Sequence, residues 1–166
     1  MMKSLHIIFA LLIINGTLSQ QLENSGFEQW ENVGTGEEEP LSWSSTKTSD
    51  NSSLNGLAPQ VISRSTDAHT GSYAAKLVNK NVPFVNIVAN GILTNGIIHT
   101  TTNPQDSYVY TDVNSSDHSQ PFTSYPDSIV GWYKYTPQGN DVGNIQVLLN
   151  GLSLIHISEP TRLERI

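Results

Sequence analysis

The chain has 166 residues, a formal net charge of −7 and no cysteine. An acidic surface repels phosphate backbones and anionic lipids, so the charge argues against a nucleic-acid-binding protein. The absence of cysteine excludes disulfides and thiolate metal sites, so the fold depends on packing and hydrogen bonds alone.

The first 19 residues have the pattern of a secretory leader. Lys3 supplies a positive charge, an apolar run follows over residues 5–14, and Thr17 and Ser19 are small residues at the spacing that a signal peptidase requires. The apolar run is too short to span a bilayer, so we expect cleavage before Gln20 and no membrane insertion. The mature protein is therefore expected to be exported, as a periplasmic, outer-membrane-surface or secreted protein.

Residues 20–151 form the predicted domain. They hold 13 Asp and Glu against five Lys and Arg, a net charge of −8, and they are rich in Asn, Ser, Thr and Gly. Since no segment sustains a 3.6-residue apolar period, little helix is expected. Short alternating runs separated by Gly, Asn and Pro are typical of antiparallel strands. The predicted strands are 60–64, 72–78, 84–88, 91–93, 97–101, 108–111, 129–135 and 144–150.

This pattern predicts an all-β fold, an antiparallel β-sandwich. Three polar stretches, 31–53, 101–107 and 113–126, are predicted to be loops, which in a sandwich gather at the ends of the sheets where ligands usually bind. In the strand predicted at 129–135, Tyr133 and Tyr135 are expected in the core, with Trp132 on the opposite face.

The segment 22–30 resembles the start of many jelly-roll carbohydrate-binding modules. It contains Asn-Ser-Gly-Phe-Glu at 24–28, and Trp43 and a tight Gly turn before the strand at 72–78 fit the same outline. In those modules the Glu of the opening motif often binds a structural calcium, and the resemblance gives that role to Glu28. The alternative is an exposed Glu near the start of a strand. No other cofactor is expected.

The segment 120–135 resembles a family of Bacteroidetes domains associated with carbohydrate metabolism. It combines Gln-Pro-Phe at 120–122 with Gly-Trp-Tyr-Lys-Tyr at 131–135, and the motifs at 91–96 and 110–112 follow the family in order. The resemblance covers residues 20–150. It implies a jelly-roll, galactose-binding-like sandwich in an exported protein and a carbohydrate ligand, and it supplies no catalytic residues.

Three aromatic residues are the candidate carbohydrate-binding residues: Trp43, Tyr125 and Trp132. An exposed ring can stack on the apolar C–H face of a sugar while neighbouring polar groups bind its hydroxyls. The alternative for Trp132 is packing beneath the loop predicted at 113–126, and a packing role is equally open to Trp43.

Signatures of an enzyme are few. The histidines lack metal-binding spacing, and the stretch 112–123 lacks the Gly and Glu of a calcium loop. A glycosidase needs two carboxylates a defined distance apart, which the sequence alone does not identify. We therefore predict a non-catalytic carbohydrate-binding module whose partner is a glycan and not a nucleic acid. The alternatives are a structural or adhesion module of a cell-surface protein and, third, a glycoside hydrolase-like enzyme. The sequence leaves the oligomeric state open.

The segment 152–162 resembles the translation of a transposon-end adapter used in preparing sequencing libraries. We therefore expect residues 152–166 to be a non-native tail and the jelly roll to be incomplete at its C-terminus. The alternative is a genuine strand over 152–157. A sandwich without its last strands is expected to expose an unpaired sheet edge.

Overall fold

A computed structural model of the chain describes residues 20–83, 86–123, 126 and 128–149. The predicted leader, the predicted tail and Tyr125 lie outside the described residues. The chain divides into two compact units, Met1–Ser128 and Ile129–Ile166. The boundary between the units falls inside the domain predicted at 20–151.

The described part of the first unit is built from short antiparallel strands. They pair into two-stranded sheets in which each strand joins the next one along the chain. The pairs are β1 (Trp30–Glu31) with β2 (Glu39–Pro40), β3 (Ile62–Ser65) with β4 (Ala74–Leu77), β5 (Lys80–Asn81) with β6 (Val88–Ala89), and β7 (Ile97–His99) with β8 (Tyr108–Tyr110).

Helical structure in the described chain is limited to single turns. These are two 3₁₀ turns, Thr46–Thr48 and Pro104–Asp106, and one α-helical turn, α1 (Ser52–Asn55). Ser45 and Asn103 precede the two 3₁₀ turns, and their side chains accept hydrogen bonds from backbone N–H groups of those turns. No described helix is long and apolar enough to cross a membrane.

The all-β class expected from the sequence is confirmed. Strands β3, β4, β7 and β8 coincide with the runs predicted at 60–64, 72–78, 97–101 and 108–111. The prediction of a strand at 91–93 is wrong, since these residues lie in no strand. No sheet in the described chain is wider than two strands.

The interior of the first unit is polar as well as apolar. Its buried apolar side chains, among the described residues, are Val61, Ile62 and Ile98. Four polar residues are buried as well: Glu39, Ser44, Ser45 and Ser49. Because burying a polar group without a partner is unfavourable, the hydrogen bonds of these residues decide how the region from residue 39 to residue 49 packs.

The second unit, described over residues 129–149, contains neither strand nor helix in that range. The strands predicted at 129–135 and over the described part of 144–150 are therefore absent, and Tyr133 and Tyr135 are 79% and 47% exposed instead of lying in a core. The apolar residues of these segments do alternate in the sequence, but a strand also needs partner strands for its backbone hydrogen bonds. A turn at Gly139–Asn140 agrees with the turn signal in the sequence.

Candidate functional site

A cleft with a volume of about 310 Å³ lies beside the β1–β2 pair in the first unit. Its wall carries the indole of Trp43, the imidazole of His118 and four carboxyl groups. The carboxyl groups belong to Glu23, Glu31, Glu39 and Asp117. The described residues that line the cleft include no Lys or Arg, so its charged wall is uniformly negative apart from the histidine.

Two of these carboxyl groups form a cross-strand pair. Glu31 of β1 lies directly opposite Glu39 of β2 in the antiparallel register. Residues in this relation project from the same face of a sheet with Cβ atoms about 5 Å apart, and like charges there repel each other. The pair is therefore held together by the strand register against its own electrostatic repulsion.

Glu39 is the buried member of the pair, with only 1% of its surface exposed. The Ser45 hydroxyl donates a hydrogen bond to Glu39 Oε1, whereas Glu39 Oε2 is buried without a hydrogen-bond partner. Burial raises the pKa of Glu39, hydrogen bonds from Ser45 and Thr48 partly offset the rise, and the charge of Glu31 adds to it. Glu39 thus holds its proton more tightly than a carboxyl group in water does.

Trp43 has a fixed orientation in the wall of the cleft. Its indole N–H donates to the backbone carbonyl of Glu23 at 3.1 Å, and its ring meets the ring of Phe27 edge-on, with centroids 5.1 Å apart. The side chain is half-buried. Because the N–H is already paired and the ring is supported, the indole offers the cleft an apolar surface of defined position.

The backbone around Trp43 adopts strained conformations at three positions that are not glycine. Asn24, Phe27 and Ser42 have φ values of 45°, 55° and 67°. The Asn24 side chain stabilises this arrangement, since its amide donates to the carbonyls of Gln29 and Leu41, both at 2.9 Å. Left-handed backbone at non-glycine residues costs on the order of 1–3 kcal/mol each and is concentrated at functional sites.

Two glutamine side chains tie the loop that carries Asp117 and His118 to the start of the described chain. Gln20 donates to the carbonyl of Pro121 at 2.5 Å and accepts from the N–H of Thr123 at 2.9 Å. Gln120 accepts from the N–H of Glu23 at 2.7 Å and donates to the carbonyl of Gln21 at the same distance. This glutamine clasp, Gln20 and Gln120, brings the loop to the cleft.

His118 is anchored inside the cleft by a buried serine. The Ser44 side chain has no exposed surface, and its Oγ lies 3.2 Å from His118 Nδ1. Ser44 is itself held by two backbone hydrogen bonds with Thr94, of 2.7 and 3.1 Å. The hydrogen bonds of Ser44 therefore fix the wall of the cleft between Trp43 and His118.

Removing the clasp should loosen the cleft. We expect Gln120→Ala to accelerate amide hydrogen exchange at Glu23 at least about fivefold, because its N–H loses the side-chain acceptor and opens more easily. Hydrogen–deuterium exchange followed by NMR measures this. Gln105→Ala is the matched control, since the side chain of Gln105 is exposed on a distant 3₁₀ turn. Equal exchange at Glu23 in both variants would contradict the role of the clasp.

Glu28, the residue given a calcium role by the resemblance, is occupied by the backbone. Its Oε1 accepts hydrogen bonds from the N–H groups of Ser72 and Tyr73 at 2.9 and 3.1 Å, and its Oε2 lies 3.1 Å from the same N–H of Ser72. The Gly turn before β4 thus docks on this carboxylate. N–H donors present positive charge, which suits a carboxylate and not a neighbouring cation.

No group of three or more His, Cys, Asp or Glu side chains in the described chain is arranged to hold a metal ion. Both oxygens of Glu28 accept backbone N–H groups, and the calcium role stays a prediction from the resemblance. The carboxylate instead connects the opening motif to the Gly turn that the same resemblance identified.

The structure places the three aromatic candidates differently. Trp43 lines the cleft of the first unit. Trp132 belongs to the second unit and is 75% exposed. Tyr125 lies outside the described residues.

The carboxyl groups of the cleft were not identified from the sequence as a site. The sequence contains a run of three Glu at 37–39, which reads as a solvated loop. Only the register of Glu39 opposite Glu31 and its contact with Ser45 show that one of the three turns inward. Asp117 lies in the polar stretch 113–126, which the sequence marks only as a predicted loop.

No protein-family model, curated protein or solved structure matches this chain.

Proposed function

We propose that this chain is a non-catalytic carbohydrate-binding module of jelly-roll type, from an exported protein, and that a sugar binds in the cleft beside Trp43. The observation that carries the proposal is a supported indole within a wall of hydrogen-bond acceptors. The apolar face of a pyranose can pack on the indole, and its hydroxyls can donate to Glu23, Glu31 and Asp117. A few convergent polar groups around an apolar surface are typical of a ligand site.

The exposure of other aromatic rings supports binding over a purely structural role. A spacer or adhesion module has no need to leave large rings in water, yet Tyr108 is 56% exposed. Tyr108 stacks on His99 with ring centroids 4.7 Å apart, and Tyr110 lies two residues along the same strand face. Such rings are available to an extended glycan.

Replacing the indole tests the proposal. We expect Trp43→Ala to weaken glycan affinity about tenfold or more, which corresponds to the loss of roughly 1.4 kcal/mol of stacking and burial. A glycan array identifies a ligand, and isothermal titration calorimetry with that ligand then measures the variant. Trp43→Phe, which keeps a smaller ring, should lose less. Trp132→Ala measures whether the second unit contributes.

Circular dichroism and thermal unfolding of each variant separate loss of binding from loss of folding. Trp30→Phe is the matched control, because Trp30 is a half-buried indole of the neighbouring strand that does not line the cleft. Full glycan affinity in a folded Trp43→Ala protein would contradict the placement of the sugar beside Trp43. An array on which the native chain binds no glycan would contradict the proposed function itself.

One observation favours a glycoside hydrolase as the second candidate. Glu31 and Glu39 are paired across strands, and the pKa of Glu39 is raised by burial and by the charge of Glu31. Glycosidases use such a division, with one carboxyl group protonated as the acid and one ionised. Release of free sugar by the native chain, abolished by Glu39→Gln, would select this function over simple binding.

A further inference from the structure

The cleft has an excess of negative charge that a neutral sugar does not compensate. Besides the buried Glu39, its described lining carries the carboxyl groups of Glu23, Glu31 and Asp117, and it carries no Lys or Arg. Hydroxyls of a neutral sugar can donate hydrogen bonds to these groups, but they leave the charge itself unbalanced. The chain as a whole is also acidic, with a net charge of −7. Its field draws cations toward such a cleft and repels anions.

One oxygen of Glu39 also lacks a compensating partner. Its Oε2 is buried in the wall without a hydrogen-bond partner, although a buried carboxyl oxygen is normally paired. Ser45 supplies a donor to Oε1, whereas Oε2 has none. This unpaired oxygen is an observation independent of the number of acidic residues around the cleft.

Neither Arg64 nor Lys47 is among the residues that line the cleft. Arg64 of β3 contacts Glu38, with its Nε 3.5 Å from Oε1, and its guanidinium lies over the ring of Tyr73 at 4.4 Å. Lys47 belongs to the first 3₁₀ turn. The only other titratable group of the described lining is His118, whose Nδ1 is engaged with Ser44.

We propose that the cleft selects sugars carrying a protonated amine, such as glucosamine units without the N-acetyl group, over neutral and acidic sugars. This inference rests on the proposed carbohydrate-binding function and adds the class of sugar. An ammonium group has three N–H donors and one positive charge, and its charge-assisted hydrogen bonds to carboxylates are about twice as strong as neutral ones.

The indole is consistent with the same ligand. A cation close to the face of a Trp ring is attracted by the π-electrons, an interaction that a neutral substituent lacks. Trp43 and the carboxyl groups of Glu23, Glu31 and Asp117 line one cleft, so a single amino sugar can use both interactions. A uronic acid or a sulfated sugar would bring negative charge against this wall and should be excluded.

Calorimetric titration of the full chain at pH 6 and low salt compares three probes of equal length. These are glucosamine tetramers, N-acetylglucosamine tetramers and galacturonate tetramers. We expect the glucosamine tetramer to bind at least about tenfold more tightly than its N-acetylated form and the galacturonate tetramer not to bind. The advantage of the amine should shrink in 0.5 M salt, because ionic strength screens the attraction.

Charge-removing variants locate the selectivity. Glu31→Gln and Asp117→Asn should each reduce the ratio of glucosamine to N-acetylglucosamine affinity about threefold or more. Glu37→Gln is the matched control, since it removes the same charge from an exposed neighbour that does not line the cleft, and it should leave the ratio unchanged. Thermal unfolding verifies that each variant is folded.

Equal or tighter binding of the N-acetylated tetramer would overturn the inference and leave the proposed function standing. If no tetramer binds and the glycan array is also empty, the proposed function fails as well. Spermine, a cation without a sugar ring, is the remaining probe. Binding of spermine as tight as that of the glucosamine tetramer would show a site for cations in general and would overturn the selection of a sugar.

Discussion

Gly71→Ala is expected to destabilise the chain by about 2–3 kcal/mol, through two separate effects. Gly71 has a φ of 75°, a conformation that costs a residue with a side chain on the order of 1–2 kcal/mol. A Cβ at this position would also stand 2.9 Å from the Cδ of Glu28 and closer still to its Oε1. The carboxylate would have to leave the N–H groups of Ser72 and Tyr73, which loses hydrogen bonds to a charged acceptor.

The chain contains the variants that separate these effects. Gly34 has a φ of 79°, but a Cβ there would meet no atom within 4 Å. Gly34→Ala should therefore lower the free energy of unfolding only through the strained backbone conformation. In a Glu28→Ala background the clash at residue 71 disappears, so Gly71→Ala should then resemble Gly34→Ala. Urea unfolding of the four proteins and the native chain gives this comparison. Equal costs for the two glycine variants in the native background would contradict the contact with Glu28.

The strands that were predicted best from the sequence, β3, β4, β7 and β8, are the longer ones, of three or four residues, whereas the other strands have two. β3 and β4 pair across a short connection, as do β7 and β8, and in each case alternation and turn residues lie within one stretch of chain. The segment 129–135 has an equally clear alternation but forms no strand. Alternation reports which side chains could share a face, whereas a strand requires backbone partners that the pattern does not contain.

The candidate site was predictable only in part, and the reason is again the distance along the chain. Trp43 could be identified because an aromatic residue near a polar loop is a local signal. The cleft also needs Asp117 and His118, more than 70 residues away, which reach it through the glutamine clasp and Ser44. Hydrogen bonds between such distant residues leave no periodicity in the sequence, so nothing marked these residues as neighbours of Trp43.

Glu28 shows what a sequence motif leaves open. The Glu of the opening motif and the Gly turn at 71 both belong to the outline of the resemblance, and the two are in contact. A motif records which residues must be near each other and not which chemistry joins them. Here the contact is a carboxylate on backbone N–H groups, an interaction that needs no cation.

The titration of Glu39 should dominate the pH dependence of folding around the cleft. Burial raises the pKa of this carboxyl group above its ordinary value of 4.5, so the folded state binds the proton more tightly than the unfolded state does. The resulting stabilisation is fully present below pH 4.5 and is lost as the pH rises through the higher pKa of the folded state. Once ionised, the group, with an unpaired buried oxygen, opposes folding.

Glu39→Gln removes this titration while keeping an oxygen that can accept from Ser45. Relative to the native chain, the variant should gain about 1–2 kcal/mol of stability between pH 4 and pH 8, the order of magnitude of one unpaired buried polar group. Urea unfolding at intervals of one pH unit measures the difference. Glu37→Gln should follow the native curve, because Glu37 is exposed.

Ser45→Ala removes a hydrogen bond that lowers the pKa of Glu39, so its loss of stability with rising pH should be steeper than in the native chain. Parallel curves for Glu39→Gln and the native chain would mean that the carboxyl group is as well solvated when folded as when unfolded, which would contradict the rise in the pKa of Glu39.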